Sequence, residues 1–214
     1  MKKISLISML FISFIAFSQN TQKAKALLNE VSQNVASYKT ISLSFDCVLD
    51  NEKENIHQQT TGSVNLQGDK YHLNFMGAER IYDKEKIYTI VHDDEEVVIS
   101  NASGDDDHEF TPSKILTFYK KGYSYKWDKQ AIIKGRKIQF IKLLPKDVNS
   151  ENKYILLGID TKSKNINQVV YANKNNTNTT FKIKTFKTDI SFSKKEFTFD
   201  EAKYKAKDYI ITRL

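Results

Sequence analysis

Cysteine, proline and glycine are scarce in this chain: one, two and seven residues among 214. The lone Cys47 has no partner for an internal disulfide, so the fold must rest on burial. On a segment that alternates apolar and polar residues, Cys47 reads as a small buried apolar side chain rather than a reactive thiol. So little glycine and proline leaves no place for a long flexible linker. Neither a phosphate-cradling glycine loop nor a dinucleotide fingerprint is present. A Gly-x-Ser-x-Gly elbow and a Cys/His signature are also missing, so nothing in the sequence assembles a nucleophile with its base. Carboxylates cluster only in polar turns, where water keeps them ionised and of ordinary acidity. Of the four histidines, His92 precedes Asp93-Asp94-Glu95-Glu96 and His108 follows Asp105-Asp106-Asp107, while His57 and His72 stand alone. Neither spacing matches a standard metal-binding loop. The expectation is no enzyme, no metal and no cofactor.

The one long apolar run lies at the start. Lys2 and Lys3 precede a stretch from Ile4 to Phe17 that only serines interrupt, and Ala16-Phe17-Ser18 places small residues before Gln19. This is the layout of a cleavable signal peptide over residues 1–18, and the run is shorter than the ~20 apolar residues that span a bilayer. Gln19 stands where a lipid-modified cysteine would be needed for an anchor. What remains, residues 19–214, has the length of one domain. The formal charge is +7, of which Lys2 and Lys3 supply two. The other lysines are scattered among acids, which points away from nucleic acid in an exported protein.

Residues 23–38 carry Ala24, Leu27, Leu28, Val31, Val35 and Tyr38 at helical spacing, with Asn20 or Thr21 as the expected cap. The period then changes to two. Ile41, Leu43, Phe45, Cys47 and Leu49 alternate with mostly polar residues, and Tyr71, Leu73 and Phe75 do so again after the Gly68-Asp69 turn. Short strands follow to Asn101. A polar loop leads into a second helix with Thr111 as cap, Pro112 at its first position, Gly122 at its end, and Ile115, Leu116, Phe118 and Tyr119 as its apolar members. The remainder is again strand, with Tyr125, Trp127 and Phe140 among its aromatics. About ten to eleven antiparallel strands with one helix before them and one inserted midway predict a mainly β fold. One long curled sheet, or an incomplete barrel with helices over its mouth, fits that order; a two-sheet sandwich is the alternative. On a single-layer sheet, one face holding Phe45, Leu73, Phe75, Tyr125, Trp127 and Phe140 could form a pocket for an acyl chain. The same alternation also describes an ordinary filled core.

Several segments carry a resemblance. Ile41-Ser-Leu-Ser-Phe45 after a helix, Gly62-Ser-Val-Asn-Leu66, Asp83-Lys-Glu-Lys-Ile-Tyr88, Thr111 to Tyr119, and Phe197-Thr-Phe199 follow the order seen in the LolA family of periplasmic lipoprotein carriers. The chain resembles that family over residues 23–212. The resemblance implies an unclosed antiparallel β-barrel with a helical lid formed around Ile115, Leu116, Phe118 and Tyr119. It implies a monomer that shields the acyl chains of triacylated lipoproteins between an inner-membrane ABC transporter and an outer-membrane acceptor, without cofactor. A lipid- or lipoprotein-sensing regulatory domain of the same fold is the other reading. Many members carry an Arg-Pro pair that ties the lid shut. Here the corresponding stretch reads Gln67-Gly-Asp-Lys-Tyr71, leaving Lys70 and Arg80 as candidate lid-closing cations.

Overall fold

The computed structural model describes residues 2–102 and 116–214, with side chains from residue 19 onward. A first helix, α1 (Lys2–Ser37), leads into β1 (Thr40–Asn51), β2 (Ile56–Gln67), β3 (Lys70–Phe75), β4 (Ala78–Tyr82), β5 (Lys86–Val91) and β6 (Glu96–Asn101). After a short 3₁₀ turn at Phe118–Lys120 come β7 (Tyr123–Ile133), β8 (Arg136–Pro145), β9 (Asn152–Asp160), β10 (Ile166–Asn173) and β11 (Asn178–Thr188). A five-residue helix α2 (Glu201–Lys205) and strand β12 (Ile210–Arg213) follow.

All twelve strands form one sheet in the order β12-β6-β5-β4-β3-β2-β1-β11-β10-β9-β8-β7. β7 and β12 lie at opposite edges and the sheet does not close. The unclosed, mainly β architecture is the one expected. Among the described residues there are twelve strands against the ten to eleven expected, and the last is parallel to its neighbour: Ile210 to Arg213 pair with Glu96 to Ile99. A parallel partner requires a long crossover, and residues 102–209 supply it.

The turns follow local chemistry. Met76 and Gly77 both have positive φ (54° and 74°) between the paired residues Phe75 and Ala78, as do Lys134 and Gly135 (48° and 74°) between β7 and β8. Two successive left-handed residues match the twist of a two-residue hairpin. At the β1–β2 turn the Asn51 side chain accepts hydrogen bonds from the backbone N–H of Lys53 (3.1 Å) and Glu54 (3.3 Å). Asp83 does the same for Glu85 and Lys86 between β4 and β5.

Alternation then sorts the sheet into two faces. On the inner face, Ala24, Leu27, Leu28 and Val31 of α1 meet Ile41, Leu43 and Phe45 of β1, Val64 and Leu66 of β2, Tyr71 of β3, and Ile141, Leu143, Ile155 and Leu157 of β8 and β9 in one cluster. Strands that far apart reach one helix because the sheet curls around it. Each core aliphatic side chain contributes about 1.5–3 kcal/mol by leaving water. Cys47 belongs to this cluster, and burial raises its thiol pKa. The outer face of the central strands is polar: Ser44 pairs with Thr185 (Oγ–Oγ1 2.7 Å) and Lys184 with Asp46 (3.3 Å). Toward β12, that outer face is apolar again. Ile81, Ile90, Val97 and Ile99 are covered by Tyr204 of α2 with Phe199 and Tyr209.

The first helix differs from expectation. It runs unbroken from Lys2, and no cap forms at Asn20 or Thr21; the Thr21 hydroxyl instead donates to the Tyr125 carbonyl on β7 (3.4 Å). Residues 4–17 contain no glycine or proline to break a helix, so no boundary arises there. No helix among the described residues is long and apolar enough to cross a membrane.

Candidate functional site

The inner face is divided in two. α1 crosses it from β7, where Thr21 bonds, to the β9–β10 turn, where Asn34 donates to the Ser163 carbonyl and Lys164 pairs with Glu30 at 2.8 Å. The aliphatic side chains beneath it are almost wholly buried. Beyond the helix, on the same face, lies a row of aromatic rings. Phe75 contacts Phe45 (centroids 5.4 Å), Phe45 contacts Phe181 (5.7 Å), Phe181 contacts Tyr171 (6.1 Å), Tyr171 contacts Phe118 (5.9 Å), and Phe118 contacts Tyr123 (6.0 Å). Apart from Phe45, all of these are only half-buried. Such tilted and edge-on pairs add roughly 0.5–1.5 kcal/mol each beyond area burial.

Gly62 makes the row possible. It lies between Phe45 and Phe75 in the β1–β2–β3 register, and a Cβ there would overlap the Phe45 ring and approach Phe75 Cδ2 to 2.9 Å. Two rings thus fold over a strand position that has no side chain.

Phe118 comes from the segment after the undescribed residues 103–115, not from the sheet. Its ring sits between Tyr123 and Tyr171, making it a plug set into the row by a short turn. Neighbouring residues hold that turn down. Leu116 and Tyr119 are 3% and 1% exposed, and Tyr119 shares a hydrogen bond with Ser32 of α1 (3.2 Å). The Tyr125 hydroxyl donates to the carbonyls of Tyr119 (2.7 Å) and Lys120 (3.2 Å). Gly122 ends the turn with φ 84°. Two clefts flank α1 here. One of about 370 Å³ is lined by Val35, Tyr38, Ile41, Leu66 and Leu116. The other, of about 510 Å³, is lined by Leu28, Ser32, Tyr119 and Tyr125.

Of the six residues singled out for an acyl pocket, Phe45, Leu73, Phe75, Tyr125 and Trp127 lie on this inner face and pack against its core. Phe140 is placed elsewhere. Its neighbour Ile141 faces α1, so Phe140 points outward, where it packs over Gly158. Of the lid residues, Phe118 and Tyr119 lie on the 3₁₀ turn, Phe118 within the row, and Leu116 lies buried just before it, in the part of the expected helix that is described. Ile115, Thr111 and Pro112 lie outside the described residues, as do His108 and Asp105-Asp106-Asp107. The candidate cations separate too. Arg80 pairs across from Leu73 on the inner face and its charge acts on the Tyr71 phenol, whose pKa burial nonetheless raises. Lys70 faces the other way, near Asp83.

The sequence reading missed Tyr171, Phe181 and Tyr123 as members of the row. Phe181 alternates with Lys182 and Tyr123 with Ser124, but nothing local says that they join one row with Phe118. A second missed group is on the outer face. His72 sits between Glu79 (Nε2–Oε1 2.8 Å) and Glu196 (Nδ1–Oε1 3.2 Å), and Asn65 donates to the same Glu196 oxygen (2.6 Å). His92 lies 3.4 Å from Glu79, and the Tyr204 hydroxyl donates to that carboxylate at 3.5 Å. Burial alone would depress the His72 pKa, but its hydrogen bond with Glu79 and the charges of Glu79 and Glu196 outweigh it and raise it. Glu79 is held low chiefly by the same bond. Among the described residues no group of three or more His, Cys, Asp or Glu is arranged to hold a metal ion.

No protein-family model matches the sequence, and no curated protein matches it. Solved structures do. A LolA superfamily protein from Nitrosomonas europaea aligns at 8% identity over 83% of this chain and 98% of its own, with a TM-score of 0.42. The Mycobacterium tuberculosis lipoprotein LppX aligns at 12% identity over 79% and 99%, with a TM-score of 0.48. An uncharacterized conserved protein from Thermus thermophilus aligns at 10% identity over 90% of this chain and 99% of its own, with a TM-score of 0.60. That last likeness is one of fold, spanning nearly the whole of both chains.

Proposed function

We propose that this chain is an exported carrier that binds the acyl chains of lipoproteins on its inner face and shuttles them from the inner to the outer membrane. The observation that carries the reading is the seating of Phe118. A ring supplied by a short turn occupies the aromatic row, in the position an acyl chain would take. If the 116–122 segment swings outward, Phe118 vacates a slot bounded by Tyr123, Tyr171 and Phe181. Each buried CH₂ contributes about 0.8 kcal/mol, so a ligand of several methylenes competes with one half-buried phenyl ring. Because Phe118 reoccupies the slot on release, the cost of emptying it is reduced, which suits a protein that must let go.

The resemblance to the LolA family, the signal-peptide layout of residues 1–18 and the unclosed sheet support the same reading. In it, the cargo is a triacylated lipoprotein, the donor an inner-membrane ABC transporter and the acceptor an outer-membrane component. Recognition and shielding suffice, with no covalent step. Arg80 is the better placed candidate for holding the lid, since Lys70 faces away.

Native mass spectrometry of the mature protein, purified without detergent from its own periplasm, tests the proposal. A bound acylated polypeptide or acyl lipid is expected. A clean unliganded mass, with no uptake when lipoprotein is offered, would overturn it in favour of a sensing domain.

A further inference from the structure

Charge is divided unevenly between the two sides of the sheet. Strands β2 to β6 lie on one side of β1 and β7 to β11 on the other. Residues 56–101, the first group, carry 4 Lys and Arg against 8 Asp and Glu. Residues 116–188, the second, carry 16 against 4. Lysines that look scattered along the chain are thus gathered on one half of the fold. Of those sixteen, only Arg136, Lys164 and Lys184 pair with a carboxylate among the described residues (3.9, 2.8 and 3.3 Å). The register then brings part of this charge onto the outer face. Tyr125 and Trp127 of β7 and Ile141 and Leu143 of β8 pack inward, so Lys126 and Lys142 between them point outward, directly opposite each other. Like charges placed so destabilise a sheet, yet neither lysine is given a carboxylate. The same row continues through Leu156 and Val170, and Lys182 lies beside it on β11. Toward β12 the outer face is covered by Tyr204 and Phe199. On this half Leu144 is 37% exposed, and Leu156 and Val170 are only half-buried.

We infer that the outer face of β7 to β11, centred on Lys126, Lys142 and Lys182, docks on the surface of an anionic phospholipid bilayer. Charge complementarity carries the inference: the excess of cations on this half has no internal counter-charge, and a layer of lipid phosphates supplies one. The apolar members of the face favour a bilayer over an acidic protein. Lysine stems can lie along Leu144, Leu156 and Val170 while their ammonium groups reach the phosphates, and the carbon-rich zone just beneath the headgroups accepts the aliphatic side chains. Lys142 already takes such a pose, with its Nζ 3.8 Å from the centroid of the Tyr154 ring. The opposite half of the sheet, with its excess of carboxylates, would be repelled by the same surface, so the molecule would also be oriented as it approaches. This face is the reverse of the one that bears α1 and the aromatic row, so docking does not depend on acyl binding there.

The test is flotation of the mature protein with vesicles of mixed phosphatidylglycerol and phosphatidylcholine, against vesicles of phosphatidylcholine alone. Wild type is expected to float with the anionic vesicles only. Binding should vanish between about 0.1 M and about 1 M salt, where the screening length falls from about 10 Å to about 3 Å. A lysine at an anionic surface is worth roughly five-fold in affinity. The triple variant Lys126→Gln, Lys142→Gln, Lys182→Gln should therefore bind the anionic vesicles at least about ten-fold more weakly, with the circular dichroism and melting of a folded sheet. A control, Lys84→Gln, Lys86→Gln, Lys207→Gln, loses the same net charge from exposed sites elsewhere and should bind as wild type does. No flotation of wild type at low salt overturns the inference, as does binding that survives in the folded triple variant or falls equally in the control. Capture by immobilised polyglutamate without binding to vesicles overturns it in favour of an acidic protein partner. Each of these failures leaves the carrier reading standing, because acyl uptake is read separately by native mass spectrometry; absent uptake with intact vesicle binding overturns that reading alone.

Discussion

The Phe45 ring lies across Gly62 of the neighbouring strand, in the space that any β-carbon at position 62 would occupy. The two residues are direct partners in the β1–β2 register, and Phe75 closes over the same glycine from β3. Gly62 is buried with an ordinary extended backbone, so the requirement is for space and not for a left-handed conformation. Replacing Gly62 by Ala should force both rings off their positions and cost about 1–3 kcal/mol, the usual range for overpacking a filled core. Urea unfolding checks this, and acyl binding should fall with it. A Gly62→Ala protein of unchanged stability would show that the rings can yield.

Phe118 yields a second prediction. Substituting Glu places a carboxylate among the rings of Tyr119, Tyr123 and Tyr171. The turn should leave its seat while the sheet, whose core Phe118 joins only at the margin, stays folded. Far-UV circular dichroism should be unchanged and acyl-probe binding abolished. A folded Phe118→Glu variant that binds normally would remove Phe118 from the site.

Tyr125 governs the hold on that turn. Its hydroxyl is a donor to two otherwise exposed carbonyls, and Tyr125→Phe removes it while keeping the ring. Loss of about 1 kcal/mol is expected, expressed locally as faster amide exchange across residues 119–122. If the segment is a lid, this variant should also load acyl cargo faster than wild type. Exchange rates indistinguishable from wild type would mean that Leu116 and Tyr119 hold the turn unaided.

The outer-face histidine has a signed pH dependence. Only the imidazolium has an N–H on both nitrogens, so His72 satisfies Glu79 and Glu196 together only when protonated. Its folded pKa is raised above the ordinary 6.5. The stabilisation is therefore fully present below about pH 6.5 and is lost as pH rises through the folded value. Glu79 is shifted the other way, below 4.5, so its contribution is present above about pH 4.5 and lost on acidification through its folded value. Urea midpoints should fall between mild acid and mild alkali in wild type. They should be nearly flat over that range in His72→Gln, which keeps one donor. A wild-type midpoint that rises with pH over the same interval would refute the assignment.

Periodicity alone revealed much of this fold. Ala24, Leu27, Leu28 and Val31 were readable as one helical face, and Ile41 to Cys47 as one strand face, because each pattern is local and repeats. What escaped depends on distant pairing. Nothing within Ile210 to Arg213 marks the parallel pairing with Glu96 to Ile99. The helix α2 did carry a local signal, Asp200 before Glu201, and the Asp200 side chain caps it by accepting from Lys203 N–H (3.1 Å). Phe140 was misread by face: on β8, Ile138, Gln139, Phe140 and Ile141 are all buried, and a strand buried on both sides has no alternation to follow. The aromatic row was half-legible. Phe45 and Phe75 stood out on their own strands, but their connection through Phe181 and Tyr171 to Phe118 exists only once β10 and β11 are laid beside β1.

The pairing of β12 with β6 also sets an order of assembly. Strands β1 to β6 form a meander whose partners are consecutive, so they can zip together as they appear. The backbone of Glu96 to Ile99 then stays uncovered on one side, along with Ile90 and Val97 beneath it, until residues 199–213 have been delivered. For a polypeptide emerging N-terminus first, that is an interval of naked strand edge, the condition that invites pairing with a neighbouring molecule. The closing strand therefore acts as a completion signal: a molecule truncated before Ile210 would keep its hairpins but remain adhesive, and a full-length one loses that stickiness in its final step.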